Sequence, residues 1–242
     1  MENDEFAIDN GNQVMTLNQT DFASLARAIF KTVKHFNPST ITVKDSVIYA
    51  LVPHAHCLVH IDMTKRLKAM VNMCFRVDKM TCSQLALLRG VGEIKIEKDL
   101  VARKYEVKTP NVTYPLAAEA FPEELPMPTI QGFVGEPITG YIPKSLRAYI
   151  ARANSFKLLI YDDQLEVINV HGQPLYFFTE GMSAQLVGKQ PGMVLQGEHA
   201  FSFFDKEQTI KIGKIAGGHI LVVENNLDLD VNLVVYERLS NR

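Results

Sequence analysis

The chain has 242 residues, with 25 lysines and arginines against 27 aspartates and glutamates and a formal net charge of −2. Its 47% hydrophobic and 21% charged content excludes a disordered or fibrous protein, and its length allows one large domain or two small ones. The near-neutral balance excludes a globally basic nucleic-acid binder, so any such role must come from where the basic residues lie.

In chain order, residues 1–12 are acidic and polar, without the basic start and apolar stretch of a secretory signal. Residues 20–36 predict the clearest helix, with Thr20 as N-cap and Phe22, Leu25, Ile29, Val33 and Phe36 at three- and four-residue steps; Asn37-Pro38 stops it. Strands are predicted over 40–43, 46–52 and 57–62, a short helix over 81–89, a strand over 93–97, and a hairpin of 104–108 with 113–118 around Pro110-Asn111. Between 119 and 135 the composition changes: Pro122, Pro126, Pro128, Gly132 and Gly135 interrupt an acidic segment holding Phe121, Leu125 and Met127, which reads as a linker. Beyond it come a helical pattern over 143–154, strands over 157–161, 165–170 and 175–179, a weaker helix over 198–206, and strands over 209–215, 219–224 and 231–239.

The order of elements therefore repeats at about half the chain, as in a duplicated domain. Ser-Leu-Ala-Arg-Ala at 24–28 answers Ser-Leu-Arg-Ala at 145–148, and Ile-Thr-Val-Lys-Asp at 41–45 answers Leu-Leu-Ile-Tyr-Asp at 158–162. The expected organisation is an α+β protein: an N-terminal domain at 1–118, with 1–13 flexible or an extra edge segment, a connector at 119–135, and a C-terminal domain at 136–242.

Three cysteines, Cys57, Cys74 and Cys82, lack CxxC spacing and an even count, so reduced buried thiols are expected. Apolar runs such as Ile220-Leu221-Val222-Val223 fall far short of the ~20 residues a membrane span needs, and a cytoplasmic protein is expected. His54, His56 and His60 share a parity, but ~20 Å separates the outer two along an extended chain, so exposed or partner-contacting histidines compete with a metal site. No GxxxxGK[ST], GxGxxG, GxSxG or HExxH motif occurs. No catalytic group, metal or cofactor is expected, and the chain reads as a non-enzyme.

Arg27, Lys31 and Lys34 share one face of the first helix, opposed there only by Asp21. The matching helix of the second half carries Lys144, Arg147 and Arg152 without an acid; Arg89 ends the short helix and Lys206 lies in its counterpart. These are either ordinary solvated faces or one continuous surface for a phosphate backbone.

Two such halves joined by a proline-broken linker resemble the DNA sliding clamps, the polymerase processivity factors, over nearly the whole chain. The run at 47–59 resembles that family's strand, turn and strand after the first helix; Tyr105-Glu106-Val107-Lys108-Thr109-Pro110-Asn111 with Tyr114 resembles the hairpin before its connector; 219–239 resembles its closing strands. Val52-Pro53, where cellular three-subunit clamps usually carry methionine and aspartate, implies a divergent, viral-type member.

The resemblance implies a clamp fold, a homotrimeric ring that encircles duplex DNA without reading sequence, and a polymerase and a clamp loader as partners. Its basic helix faces would line the hole, placing Arg27, Lys31, Lys34, Arg89, Lys144, Arg147, Arg152 and Lys206 toward DNA. Partner peptides would dock beneath the connector at Val52, His56, Leu58, Leu125, Met127 and Tyr236, with plain core packing the alternative for Val52 and Leu58. Subunits would join by strand pairing of 113–118 with 175–179, through Thr113, Tyr114, Leu116, Leu175, Phe177 and Thr179. The competing function is a non-enzymatic scaffold or virion protein of duplicated α+β architecture.

Overall fold

The computed structural model describes residues 13–52, 57–88, 92–125, 127–141, 148, 156–161, 164–169, 171–179, 193–197, 207–228 and 231–241. The chain forms two compact units, Met1–Ala50 with Asp62–Glu124, and Leu51–Ile61 with Leu125–Arg242. In chain order the first part comprises β1 (Gln13–Leu17), α1 (Gln19–Phe36), β2 (Thr40–Lys44), β3 (Val47–Val52), β4 (Cys57–Asp62), β5 (Met73–Arg76), α2 (Lys79–Leu87), β6 (Ile94–Asp99), β7 (Lys104–Lys108) and β8 (Thr113–Ala117). The second comprises β9 (Gly132–Phe133), β10 (Ile138–Tyr141), β11 (Phe156–Ile160), β12 (Gln164–Ile168), β13 (Pro174–Thr179), β14 (Met193–Gly197), β15 (Glu207–Ile215), β16 (Gly218–Asp228) and β17 (Val231–Asn241).

In the first unit, α1 starts one residue earlier than its apolar spacing predicts, and its N-cap is Asn18 rather than Thr20. The Asn18 side chain accepts from the Asp21 backbone N–H at 2.9 Å, which satisfies one of the helix's orphan donors. The helix ends at Asn37, in the left-handed region at φ 47°, whose N–H returns to the Val33 carbonyl. Its apolar stripe, Phe22, Leu25, Ala26, Ile29, Val33 and Phe36, is buried. Phe22, Leu25 and Ile29 meet Cys82 and Leu85 of α2 and Met73, Phe75 and Ile96 of the strands around a residual void of about 20 Å³.

Helix α2 is displaced two residues toward the N-terminus from its predicted span, because Asp78 caps it: its carboxylate accepts from the Met80 N–H and the Thr81 hydroxyl. Between β2 and β3 a two-residue turn places Asp45 and Ser46 at φ 50° and 64°, the positive-φ pair that a twisted hairpin requires. The Asp45 N–H is held by the Asn72 side chain at 2.7 Å.

The two halves of the chain repeat one strand plan. In the first, β2 pairs β3 on one side and β5 on the other, and a second sheet runs β1-β6-β7-β8. In the second, β11 pairs β12 and β14, and the matching order is β10-β15-β16-β17. Even the minor pairings correspond: a single bridge joins Phe75 of β5 to Ala118 after β8, and Leu195-Gln196 of β14 pair with Ser240-Asn241 of β17. The predicted helices at 143–154 and 198–206 lie outside the described residues, apart from helical Ala148.

The core of the second unit is built by the long strands β15 to β17, where Ile210, Ile212, the run from Ile220 to Val223, Leu233, Val235 and Leu239 are buried. At Gly213 a side chain would meet Ile220 and Ile130 within 3.0 Å, so only glycine lets the connector approach β15 there. All three cysteines are free and buried.

Candidate nucleic-acid and partner interfaces

Arg27, Lys31 and Lys34 are exposed on α1. Asp21 does not oppose them. It is 4% exposed, and its Oδ2 accepts from Asn18 Nδ2 at 2.9 Å and from the Lys68 backbone N–H at 3.1 Å, so its charge is spent inside the cap. Among the described residues no ion pair neutralises the three cations. Arg89, Lys144, Arg147, Arg152 and Lys206 lie outside the described residues.

Sequence reasoning passed over three further cations. Lys65, Arg66 and Lys68 follow β4 in a loop held by backbone N–H donation from Arg66 and Leu67 to the Met63 carbonyl, both at 2.9 Å, with Met63 and Leu67 buried. Arg66 Nε donates to Ser24 Oγ of α1 at 3.2 Å. The loop and the start of α1 flank an open cleft of about 900 Å³ lined by the three cations with Thr16, Asn18, Gln19, Thr20, Asp21, Gly92 and Glu93. The Lys-Arg-x-Lys run is visible in the sequence, but no periodicity connects it to a helix forty residues earlier.

Of the expected partner groove, Val52 and Leu58 are 8% and 4% exposed, where plain core packing puts them, and His56 lies outside the described residues. Leu125 is half-buried, and Met127 is 41% exposed. Tyr236 of β17 packs with Ile130 and Ile215 over buried Ile220, Val222 and Val234. Ile130 was not among the expected residues, although its place in the connector was visible.

The connector is fastened to its own unit: the Gln131 N–H donates to Lys214 O and the Val134 N–H to Ile212 O, both at 2.8 Å, while β9 pairs β15. Beside it Phe133 is half-exposed, with Lys211 Nζ 5.9 Å from its ring centre; Lys211 also pairs with Glu224 at 2.8 Å.

Among the described residues β8 and β13 are both end strands of their sheets. In β8, Thr113 is exposed, Tyr114 is half-buried and the Leu116 side chain is buried, so Leu116 offers a neighbour only its main chain. Pro115 stands in mid-strand opposite Glu106; lacking an N–H, it belongs on an edge with its missing donor turned outward. In β13 Leu175 is half-buried, and the side chains of Phe177 and Thr179 lie outside the description.

Among the described residues no three His, Cys, Asp or Glu side chains gather as a metal site; His54 lies outside them, and His60 is half-buried in β4. No described helix is long and apolar enough to cross a membrane.

No family model matches the chain, and no curated protein matches it. Solved structures do. The PCNA2–PCNA3 complex from Sulfolobus tokodaii gives a TM-score of 0.60 at 13% identity, covering 93% of this chain and 99% of that one. PCNA from Thermococcus kodakaraensis gives 0.59 at 15% identity, covering 94% and 99%. The A. fulgidus PCNA bound to the C-terminal region of FEN-1 gives 0.56 at 13% identity, covering 95% and 98%. This chain has the DNA clamp fold of those proteins, with two tandem domains.

Proposed function

We propose that the protein is a sliding clamp: a ring of these chains encircles duplex DNA and tethers a polymerase to it after a loader closes the ring. The observation that carries this reading is the pair of open ends that the strand repeat leaves behind. In the second unit β17 has β4 as its sheet neighbour. By the repeat, β8 stands where β17 does and β13 stands where β4 does, yet among the described residues each is the last strand of its sheet. The pairing made once within the chain is thus available a second time between two chains. Such a contact is heterologous, and it closes into a ring when the rotation permits.

The exposed cations of α1 support duplex DNA as the cargo, since loose, sequence-blind attraction to phosphates is what sliding requires. The five basic residues on the remaining expected helices belong to the same proposal, as does a division into domains at 1–118 and 136–242 around the connector. The partner surface is proposed at Leu125, Met127 and Tyr236, with Ile130 added and with Val52 and Leu58 as its floor. That A. fulgidus PCNA holds a FEN-1 segment supports a peptide as the kind of partner.

A native mass of three times the 27.2 kDa chain, measured by light scattering, is the expected result. A monomer at every practical concentration and salt would remove the ring. Because one similar structure is a PCNA2–PCNA3 complex, a ring completed only when a second, different chain is supplied would replace the homotrimer while keeping the clamp.

A further inference from the structure

We propose that the loop carrying Lys65, Arg66 and Lys68 is a second phosphate-contact element, which continues the basic face of α1 along the same duplex. The inference rests on the clamp reading above. At 100° per residue Ser24 lies on the exposed arc of α1 with Thr20, Arg27 and Lys31. The 3.2 Å bond from Arg66 Nε to Ser24 Oγ therefore fixes a guanidinium on that arc, one helical turn before Arg27.

Lys65 and Lys68 are exposed on either side of Arg66, and among the described residues neither has an ion-pair partner. From Ser24 to Lys34 the helix stripe spans only about 15 Å at 1.5 Å per residue, so the loop lengthens a short track. Duplex DNA, with one charge per ~1.7 Å of axis, offers phosphates along all of it.

The loop is shaped before any ligand arrives. Buried Met63 and Leu67 anchor it, the Met63 carbonyl closes its turn, and the Lys68 N–H is held by Asp21. Little ordering entropy is then left to spend on binding. The cleft lining also favours phosphate over a protein segment. Among the described residues it presents cations, hydroxyls and side-chain amides and no apolar side chain, whereas protein hot spots centre on aromatic or apolar anchors. Two carboxylates belong to the lining: Asp21 is buried in its hydrogen bonds, and Glu93 is exposed. Three cations against these two acids leave the described lining positive.

The test uses a fluorescently end-labelled linear duplex of mixed sequence and anisotropy over a salt series. Wild type is compared with Lys65→Ala/Lys68→Ala and with Arg27→Ala/Lys31→Ala/Lys34→Ala, all checked for unchanged melting. The loop variant is expected to flatten the log–log salt slope by roughly 0.9 for each phosphate it no longer neutralises. If only the α1 variant flattens it, the loop does not touch DNA and the clamp reading stands. If neither variant departs from wild type, both fail. A loop variant with a wild-type slope that no longer supports polymerase stimulation would assign the cleft to a protein and overturn the inference.

Discussion

Asp21 is the one acid within the basic helix, and its burial against the Asn18 amide and the Lys68 N–H leaves Arg27, Lys31 and Lys34 without a counter-charge on α1. The sequence shows those three cations on one face, but it cannot show that the acid turns inward, because that depends on a loop more than forty residues away. The caps are equally local in their effect and equally hard to place: Asn18 and Thr20 are both good cap residues, and only the observed bond to the Asp21 N–H decides between them. At α2 the Thr81 hydroxyl, and after it the Met80 and Thr81 N–H groups, hold the Asp78 carboxyl below its ordinary 3.8. Replacing Asp78 by Ala should cost about 1 kcal/mol in denaturant unfolding. A lowered folded value means that the carboxylate's contribution is complete above about pH 3.8 and fades as the pH falls through the folded value. The difference between wild type and Asp78→Ala should therefore narrow in acid. The thiols behave oppositely. Burial first, and Asp78 second, push Cys82 to about 11, and burial with Glu237 nearby raises Cys57 well above an ordinary thiol. Iodoacetamide at pH 8 should label Cys57, Cys74 and Cys82 only on unfolding; labelling of the native protein at the rate of a free thiol would contradict their burial. Between pH 9.0 and about 11 the unfolded thiol ionises while folded Cys82 keeps its proton, so that contribution to stability is lost as the pH rises.

Alternation of wet and dry faces did not by itself decide which strands were legible: β2 was expected although Ile41, Thr42 and Val43 are all buried, and β1 was missed although its positions alternate. The 104–108 and 113–117 hairpin alternates buried and exposed positions and lies within one residue of expectation. β5 was missed because Met73, Cys74 and Phe75 are all buried and, unlike the residues of β2, none is β-branched, so neither alternation nor composition marks a strand there. β1, β10 and β14 were missed because each is short and follows a segment without strand signals, and β16 runs on to Asp228 because its last residues pair with the start of β17. Sheet ends are invisible in a sequence, since they depend on what fails to pair, although Pro115 in mid-strand was a usable sign of an edge at β8. Phe177 and Phe178 point their N–H groups to opposite sides of β13. Proline at one should break only the β12 ladder and lower the melting temperature, whereas proline at the other should leave the fold and reduce the native mass. If both variants kept the wild-type mass, β13 would not join subunits. For the connector, Leu125→Ser/Met127→Ser should abolish stimulation of the cognate polymerase with mass and melting nearly unchanged, because neither residue is in the buried core. Unfolding of that variant would make the two residues structural, and full stimulation would put the peptide site elsewhere.

At the scale of the whole molecule, duplication was legible from the recurring order of elements, but its strength is in the strand plan, which no pair of short sequence matches could supply. β3-β2-β5 recurs as β12-β11-β14, and β1-β6-β7-β8 recurs as β10-β15-β16-β17. At 13 to 15% identity to the similar structures, few residues are shared although the fold is, so residue patterns pointed to the clamp fold only through the order of its parts. A closed ring on DNA has a property that ordinary binding lacks: release depends on whether the DNA has an end. Protein loaded onto a nicked circular plasmid and separated from free protein at moderate salt should remain with the circle. It should be lost when a single restriction cut makes the same plasmid linear. Equal retention on circle and line would mean that the protein binds along DNA instead of around it, and would contradict the sliding clamp.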